Sequence, residues 1–235
     1  MMLPKARFFD TQAPEEWARA DYTVEETEKL ARVLSAAGIS TGMHVFEPGC
    51  GTGRLTRLLC SQTGPEGRVV ALDLSLGMIE VCSRRMAGSG TAQCVLGSFE
   101  ETPLAAGHFD AVVCHNVFHH FEDKPAVLGK AAGILRPYGR FVIHHFLEFS
   151  EINNPARRMH DAVRRDMMPS PDTLRTMFSL AGMRLEYCGD SWDRGAPAGR
   201  RRQGAVQGFP VGRGAFSLFV VPASRTWGFL CNRPR

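Results

Sequence analysis

MHVFEPGCGTG, residues 43–53, is an apolar run that leads directly into a turn containing three glycines. A helical pattern follows and extends to Cys60, so the stretch predicts a strand, a glycine turn and a helix. Gly49, Gly51 and Gly53 lack the Cβ atoms that would keep a ligand away from the backbone, and they permit positive φ angles. In α/β proteins such a turn places a ligand beyond the carboxyl ends of the strands. The stretch therefore predicts a binding turn at one edge of a sheet.

Outward from this turn, short apolar runs alternate with helical patterns. Further strands are expected at Arg68–Asp73, Ala92–Leu96, Phe109–Cys114, Arg140–His144 and Met183–Cys188. Helices are expected at Ser75–Met86, at Lys124–Leu135 and within residues 151–181. In a helical lead-in over residues 14–37, Asp21 or Thr23 is the expected cap, and Thr23 would form a capping box with Glu26. Because the strands are almost wholly apolar and alternate with helices, the pattern predicts an α/β domain with a parallel sheet covered on both faces.

The spacing of the glycines separates two kinds of ligand. In a dinucleotide fingerprint the third glycine would fall on Arg54, whereas this chain has Gly53 and a G-x-G-x-G pattern. Glu47 also stands two positions before the first glycine, where a carboxylate would repel a pyrophosphate. The same carboxylate can help to bind S-adenosylmethionine (SAM), which carries an ammonium and a sulfonium. The turn therefore favours SAM over a nicotinamide dinucleotide.

A second acid, Asp73, closes the second strand about 20 residues after Gly53. A carboxylate at this place can accept hydrogen bonds from both hydroxyls of a ribose, and enzymes that bind NAD use an acid in the same way. Asp73 therefore supports a nucleoside ligand without choosing between the two cofactors. An NAD-type oxidoreductase remains an alternative, which Arg54 and Glu47 disfavour.

Several further motifs carry a resemblance to a known family. They are Phe8-Phe9-Asp10 with Trp17, Val45–Thr56, Val70–Ser75, Gly97–Glu100, His108–Val113, Phe118–Phe121 and Leu135–Arg140. With them the chain resembles the class I SAM-dependent methyltransferases over about residues 8–193, especially the small-molecule branch related to ubiquinone/menaquinone biosynthesis. The resemblance implies a Rossmann-like fold with a mostly parallel seven-stranded sheet, in which the place of the last strand stays open.

The resemblance also implies a cofactor site for SAM. It comprises Glu47, Gly49, Cys50, Gly51, Gly53, Asp73, Leu74, Met78, Ser98, Phe99, His115 and Asn116. Within it, Glu47 would face the methionine part of SAM, Asp73 the ribose, and Ser98 and Phe99 the adenine. Two positions depart from the family pattern, since Ser98 replaces an acid and Tyr138 replaces a glycine at a turn.

Methyl transfer needs a general base only where the acceptor must lose a proton. Candidate bases are His115, His119, His120, His144, His145 and His160, and we place His119 and His145 first because they follow strands four and five. For any single histidine a structural role competes with catalysis. The predicted function is transfer of a methyl group from SAM to a small-molecule acceptor. A SAM-binding protein without catalysis is a further alternative.

Composition and charge restrict the class of protein. Hydrophobic residues make up 44% of the chain, no apolar run is long enough for a membrane span, and the first residues lack the apolar core of a signal peptide, so a cytoplasmic protein is expected. The seven cysteines lack the spacing of a metal site, and no metal is predicted. Residues 194–235 contain eight arginines and no acid or lysine; subtracting those eight charges from the net charge of +4 leaves −4. Nucleic-acid binding is therefore not favoured, and the sequence does not predict an oligomeric state.

The predicted organisation has three parts: an N-terminal helical lead-in at 1–40, a SAM-binding domain at 41–193 and an Arg/Gly/Pro-rich tail at 194–235. Three interpretations of the tail compete. It is a flexible insertion with Phe216–Val221 as the last strand, an arginine-rich arm for a polyanion, or a non-native ending such as a shifted reading frame. The abrupt loss of Asp, Glu and Lys favours the third.

Overall fold

The computed structural model describes residues 4–155, 160–189 and 217–222. Its strands are β1 (His44–Pro48), β2 (Arg68–Asp73), β3 (Ala92–Leu96), β4 (Phe109–His115), β5 (Leu135–His144), β6 (Met183–Gly189) and β7 (Ser217–Pro222). Its α-helices are α1 (Pro4–Gln12), α2 (Glu16–Arg19), α3 (Val24–Ala36), α4 (Arg54–Thr63), α5 (Leu76–Arg85), α6 (Lys124–Ile134), α7 (Phe149–Ile152) and α8 (Pro171–Leu180). Short 3-10 helices lie at Phe118–His120 and Asp161–Val163.

The strands form one sheet in the order β3-β2-β1-β4-β5-β7-β6. Strands β1 to β5 pair in parallel, and β7 pairs antiparallel with both of its neighbours. The strand order reverses between β1 and β4, which creates the crevice at which open α/β sheets bind their ligands. The α/β fold class with a mostly parallel sheet is confirmed, and β7 covers most of the apolar run that was one candidate for the last strand.

Both faces of the sheet are buried because apolar side chains point to each face in turn along its strands. Val45 packs with Leu30 and Leu34 of α3 in one core cluster. The next residue, Phe46, packs in a second cluster with Leu128 of α6 and Phe178 of α8. This alternation on fully buried strands explains why the strands read as continuous apolar runs.

Helix starts follow the capping chemistry in the sequence. The Thr23 side chain accepts from the Glu26 N–H and the Glu26 side chain accepts from the Thr23 N–H, which confirms the predicted capping box. Ser75 caps α5 in the same manner, by accepting from the Met78 N–H. These caps fix where α3 and α5 begin beside the glycine turn.

Two sequence expectations differ from the structure. β5 begins at Leu135 rather than Arg140, because the backbone continues through an exposed turn in which Tyr138 has a φ of 67°. Tyr138 thus adopts at this family glycine position a backbone conformation that favours glycine. Residues 151–181 are less helical than expected, since only α7, α8 and the 3-10 helix Asp161–Val163 occur in their described part.

The three interpretations of the tail concern residues that lie mostly outside the described part of the chain, as does the rest of the predicted third region. The described helices include none that is long and apolar enough to cross a membrane. Among the described residues no group of histidines, cysteines and acids is suited to a metal ion.

Candidate functional site

The glycine turn after β1 has the positive φ angles that its glycines permit. Gly49, Gly51 and Gly53 have φ angles of 70°, 55° and 81°. A Cβ atom on Gly49 would lie 2.2 Å from Cγ2 of Val117, so only glycine fits there. A Cβ atom on Gly51 would have no neighbour within 4 Å, because this residue lies against open space. Gly51 therefore presents bare backbone to whatever occupies that space.

That space is a cavity of about 1100 Å³ at the carboxyl ends of β1, β2 and β4, which we call the larger cavity. All the residues implied for the cofactor site line it except Gly53. Gly53 is next to Cys82 of α5, where a Cβ atom would lie 2.7 Å from the sulfur. This approach packs the turn closely against α5, and a role for Gly53 in cofactor binding stays a prediction.

Asp73 lies at the end of β2, and each of its carboxylate oxygens accepts a hydrogen bond from a backbone N–H group. Oδ2 accepts from the Gly51 N–H at 2.9 Å and Oδ1 accepts from the Ser75 N–H at 2.9 Å. The residue is only 8% exposed, and burial raises the pKa of its carboxyl while these backbone hydrogen bonds lower it. Each oxygen keeps a lone pair, so the carboxylate can accept further hydrogen bonds from a ligand in the larger cavity.

Glu47 is the second acid of the larger cavity and is 2% exposed. Its Oε2 accepts from the Thr56 hydroxyl at 2.7 Å. Burial raises the pKa of this carboxyl well above its usual value, and the hydrogen bond from Thr56 opposes the shift. No cationic side chain among the described residues forms an ion pair with Glu47. A ligand cation near Glu47 would therefore stabilise its ionised form.

The residues expected around adenine, Ser98 and Phe99, line the larger cavity. Phe99 is buried with its ring 5.0 Å from that of Phe46. The Ser98 hydroxyl accepts from the Glu101 N–H at 3.2 Å, so part of its hydrogen-bonding capacity serves the local turn. Its hydroxyl proton remains able to donate to a ligand, unlike the acid that it replaces, which would accept.

His115 and Asn116 follow β4 and line the larger cavity. The Nδ1 atoms of His115 and His144 lie 2.9 Å apart, a hydrogen bond between two imidazoles. Burial lowers the pKa of His144 to about 3 and places that of His115 well below its usual value, so this pair is neutral at pH 7. Asn116 has a φ of 54° and accepts from the Phe146 N–H at 3.2 Å, which ties the end of β4 to the loop after β5.

The two histidines predicted to be catalytic lie in a second, smaller cavity of about 610 Å³. The rings of His119 and His145 are 5.0 Å apart there, and neither residue lines the larger cavity. Burial places the pKa of His145 well below its usual value. The two cavities share Phe9, Trp17, Asn116, His120 and Asp166. A catalytic role for His119 and His145 stays a prediction.

The N-terminal helix α1 contributes residues that the sequence analysis did not assign to the site. Asp10 accepts from the Ser75 hydroxyl at 2.6 Å and from the Gly77 N–H at 2.9 Å, which holds α1 on the start of α5. Lys5 pairs with Asp166, 161 residues away, at 2.8 Å. Asp10 belongs to the quoted lead-in motif and was therefore detectable, whereas no local pattern marks Lys5 or Asp166.

Comparison with known proteins gives the same architecture. Residues 46–143 match the family model described as Methyltransferase domain. A demethylmenaquinone methyltransferase of Symbiobacterium thermophilum is 35% identical over 104 residues, which cover 43% of this chain and 41% of that protein. The ubiquinone/menaquinone biosynthesis C-methyltransferase UbiE of Ectopseudomonas mendocina is 31% identical over 147 residues, covering 61% of this chain and 56% of that protein.

The similarity to these two relatives thus spans about half of their length or less. Among solved structures, a SAM-dependent methyltransferase from Aquifex aeolicus superposes with a TM-score of 0.63 at 16% identity. That superposition covers 92% of this chain and 97% of the other. At this identity the likeness concerns the fold.

Proposed function

We propose that this chain, whose residues 46–143 match the methyltransferase-domain family model, binds SAM in the larger cavity and transfers its methyl group to a small-molecule acceptor. The observation that carries the proposal is the pair of buried carboxyls, Glu47 and Asp73, that line the larger cavity together with the bare backbone of Gly51. Asp73 suits the ribose of a nucleoside, and Glu47 suits a cationic group and would repel the pyrophosphate of a dinucleotide.

Different residues of the larger cavity bind different parts of SAM in this proposal. Asp73 accepts hydrogen bonds from the ribose hydroxyls, Glu47 attracts the positively charged methionine part, and Met78 and Phe99 enclose the adenine. When bound, SAM supplies a methyl group that its sulfonium has already activated. The chain's contribution to rate is therefore mainly orientation of the acceptor toward that group.

The smaller cavity is the proposed place of the acceptor. Its apolar lining residues are Phe8, Phe9, Trp17, Phe146, Leu147, Ile152 and Val163. Such a lining suits an apolar or aromatic molecule. The names of the two relatives include demethylmenaquinone and ubiquinone/menaquinone, which supports a quinone-like acceptor as the first to test. We keep the cytoplasm as the proposed compartment, since the cysteines within the described part of the chain are free thiols.

Calorimetric titration of the protein with SAM, S-adenosylhomocysteine and NAD tests the binding step. We expect heat of binding with the first two ligands and none with NAD, and Glu47→Gln should lower the affinity for SAM. Glu80→Gln, which changes an exposed carboxylate on α5, is the matched control and should bind as the wild type does. Binding of NAD instead of SAM would overturn the proposal in favour of an oxidoreductase.

Transfer is tested with methyl-labelled SAM in two reactions, one containing chemically reduced demethylmenaquinone and the other a protein-free bacterial extract. We expect label in a small molecule, which mass spectrometry then identifies. SAM binding without labelled product in either reaction would favour a SAM-binding protein that lacks catalysis.

A further inference from the structure

The cluster around His120 contains a histidine held by a buried carboxylate. His120 ends the 3-10 helix that follows β4, and its Nδ1 lies 2.5 Å from Oδ2 of Asp166. The other oxygen of Asp166 accepts from the Lys5 ammonium at 2.8 Å. Lys5 also donates to the His120 carbonyl, so α1 fixes both members of the pair. The Asp166 side chain is only 8% exposed, so its position is set by these partners rather than by water.

The hydrogen bond to Asp166 fixes which nitrogen of His120 carries a proton. A carboxylate can only accept, so Nδ1 of a neutral His120 must donate to it. The lone pair of the ring is then on Nε2, at the opposite edge. A histidine whose Nδ1 is directed by a buried carboxylate, with Nε2 left to take a proton, is the arrangement of a general base.

His120 also lies where the two ligands of a transfer reaction would meet. It lines both the larger and the smaller cavity, and its side chain keeps 21% of its surface exposed. His119, next to it, lines only the smaller cavity. The edge-on packing of Phe9 against the His120 ring, with centroids 5.1 Å apart, holds the ring between the two spaces.

We propose that His120 is the general base for the acceptor, that Asp166 and Lys5 are its positioning residues, and that the acceptor carries an acidic proton whose removal makes its attacking atom more nucleophilic. The inference rests on the proposed function. It selects acceptors such as phenols and hydroquinols over acceptors that are nucleophilic without losing a proton.

The proton and the bonds balance without any further reactant. Nε2 of His120 takes the proton of the acceptor while the acceptor forms its bond to the methyl carbon and the bond from that carbon to sulfur breaks. The electron pair of the broken bond stays on sulfur. The imidazolium of His120 is then paired with the carboxylate of Asp166 until its proton passes to solvent.

The charges that face His120 leave it able to accept a proton near neutral pH. Burial lowers the pKa of His120, the hydrogen bond and charge of Asp166 raise it, and Lys5 and Lys124 lower it. The His119 ring also packs against it, with centroids 3.8 Å apart. Because the net shift is downward from 6.5, His120 is neutral at pH 7.

The first test compares His120→Gln with His119→Gln and His145→Gln in the labelled-SAM reactions, using whichever acceptor the wild type labels. We expect His120→Gln to lower kcat by about 10²- to 10⁴-fold, the usual contribution of a general base, with SAM affinity by calorimetry unchanged. His108→Gln, at the opposite end of β4, is the control and should keep full turnover. Loss confined to the His119 or His145 variant would overturn the assignment.

The pH profile provides a readout that a purely structural role would not move. Wild-type kcat should reach a plateau toward neutral and higher pH and should fall as the pH drops through the lowered pKa of His120. The residual activity of His120→Gln should lack this fall. A fall in kcat at low pH that persists unchanged in the variant would contradict the proposal.

Nitrogen-15 NMR of the full chain tests the tautomer without any turnover. We expect protonated Nδ1 and unprotonated Nε2 on His120 at pH 7, with that preference weakened in Asp166→Asn. Protonated Nε2 in the wild type would overturn the assignment. If the wild type labels no acceptor, both the proposed function and this inference fail. If the wild type is active and His120→Gln has the same kcat, only this inference fails.

Discussion

The glycine-turn side of the cavity and the histidine side are built from different kinds of contact. On the first, Gly51 and Asp73 are 22 residues apart and belong to one strand-turn-helix-strand unit. On the second, Lys5 and Asp166 are 161 residues apart and meet only when the N-terminal helix docks. A site built within one unit leaves a pattern in the sequence, whereas a site assembled from the two ends of a chain does not.

On the glycine-turn side the largest effect is expected from Asp73→Ala. It removes an acceptor for two ribose hydroxyls, and hydrogen bonds to a charged acceptor contribute about 1.5–3 kcal/mol each. We therefore expect SAM affinity to fall by about 10²- to 10⁴-fold in calorimetric titration. Affinity within threefold of the wild type would mean that Asp73 does not hold the ribose.

Gly49→Ala and Gly51→Ala separate packing from ligand access within the same turn. The new methyl at Gly49 would lie 2.2 Å from Val117, so a clash adds to the strain of a φ of 70°. We expect a loss of about 2–4 kcal/mol in the free energy of unfolding by urea. Gly51→Ala introduces backbone strain without a clash. It should lower the free energy of unfolding by about 1–2 kcal/mol and also lower the affinity for SAM. Equal stability losses would contradict the distinction.

Glu47 links SAM binding to protons. Its pKa is raised well above 4.5 by burial, so at pH values between 4.5 and that raised value the folded protein holds a proton that the unfolded chain has lost. The contribution of Glu47 to stability is therefore greatest below pH 4.5 and falls as the pH rises toward the folded pKa.

A bound cation would favour ionised Glu47, so SAM should release a proton and bind more tightly as the pH rises. Each unit by which the ligand lowers this pKa corresponds to about tenfold in affinity. Titrations in two buffers of different ionisation enthalpy measure the release. Glu47→Gln should abolish it, and release that survives in this variant would assign it to another group.

The smallest expected effect concerns the docking of α1. Asp10→Ala removes the acceptor of the Ser75 hydroxyl and the Gly77 N–H and should cost about 1–2 kcal/mol. Hydrogen exchange should show reduced protection of α1 with unchanged protection of β1 and β4. Uniform loss across the sheet would instead mean that α1 unfolds together with the core.

Much of the fold follows from local pattern. The bounds of β2 and β3 agree with their apolar runs, because buried strands are uninterrupted apolar segments between turn residues. Glu47 and Asp73 were recognisable because each stands at a fixed distance from a glycine. The sequence could not distinguish His119 from His120, because adjacent histidines fit the same pattern. Only the geometry of the 3-10 helix that contains both decides which cavity each ring lines.

The last strand in the described part of the chain, β7, fills the position between β5 and β6. While the protein is being synthesised, β5 therefore presents an unpaired edge until residues 217–222 have left the ribosome. β6 has no partner in the sheet before that moment either. The nascent chain thus completes its sheet late, and the aggregation-prone edge of β5 stays exposed while residues 145–216 are being synthesised.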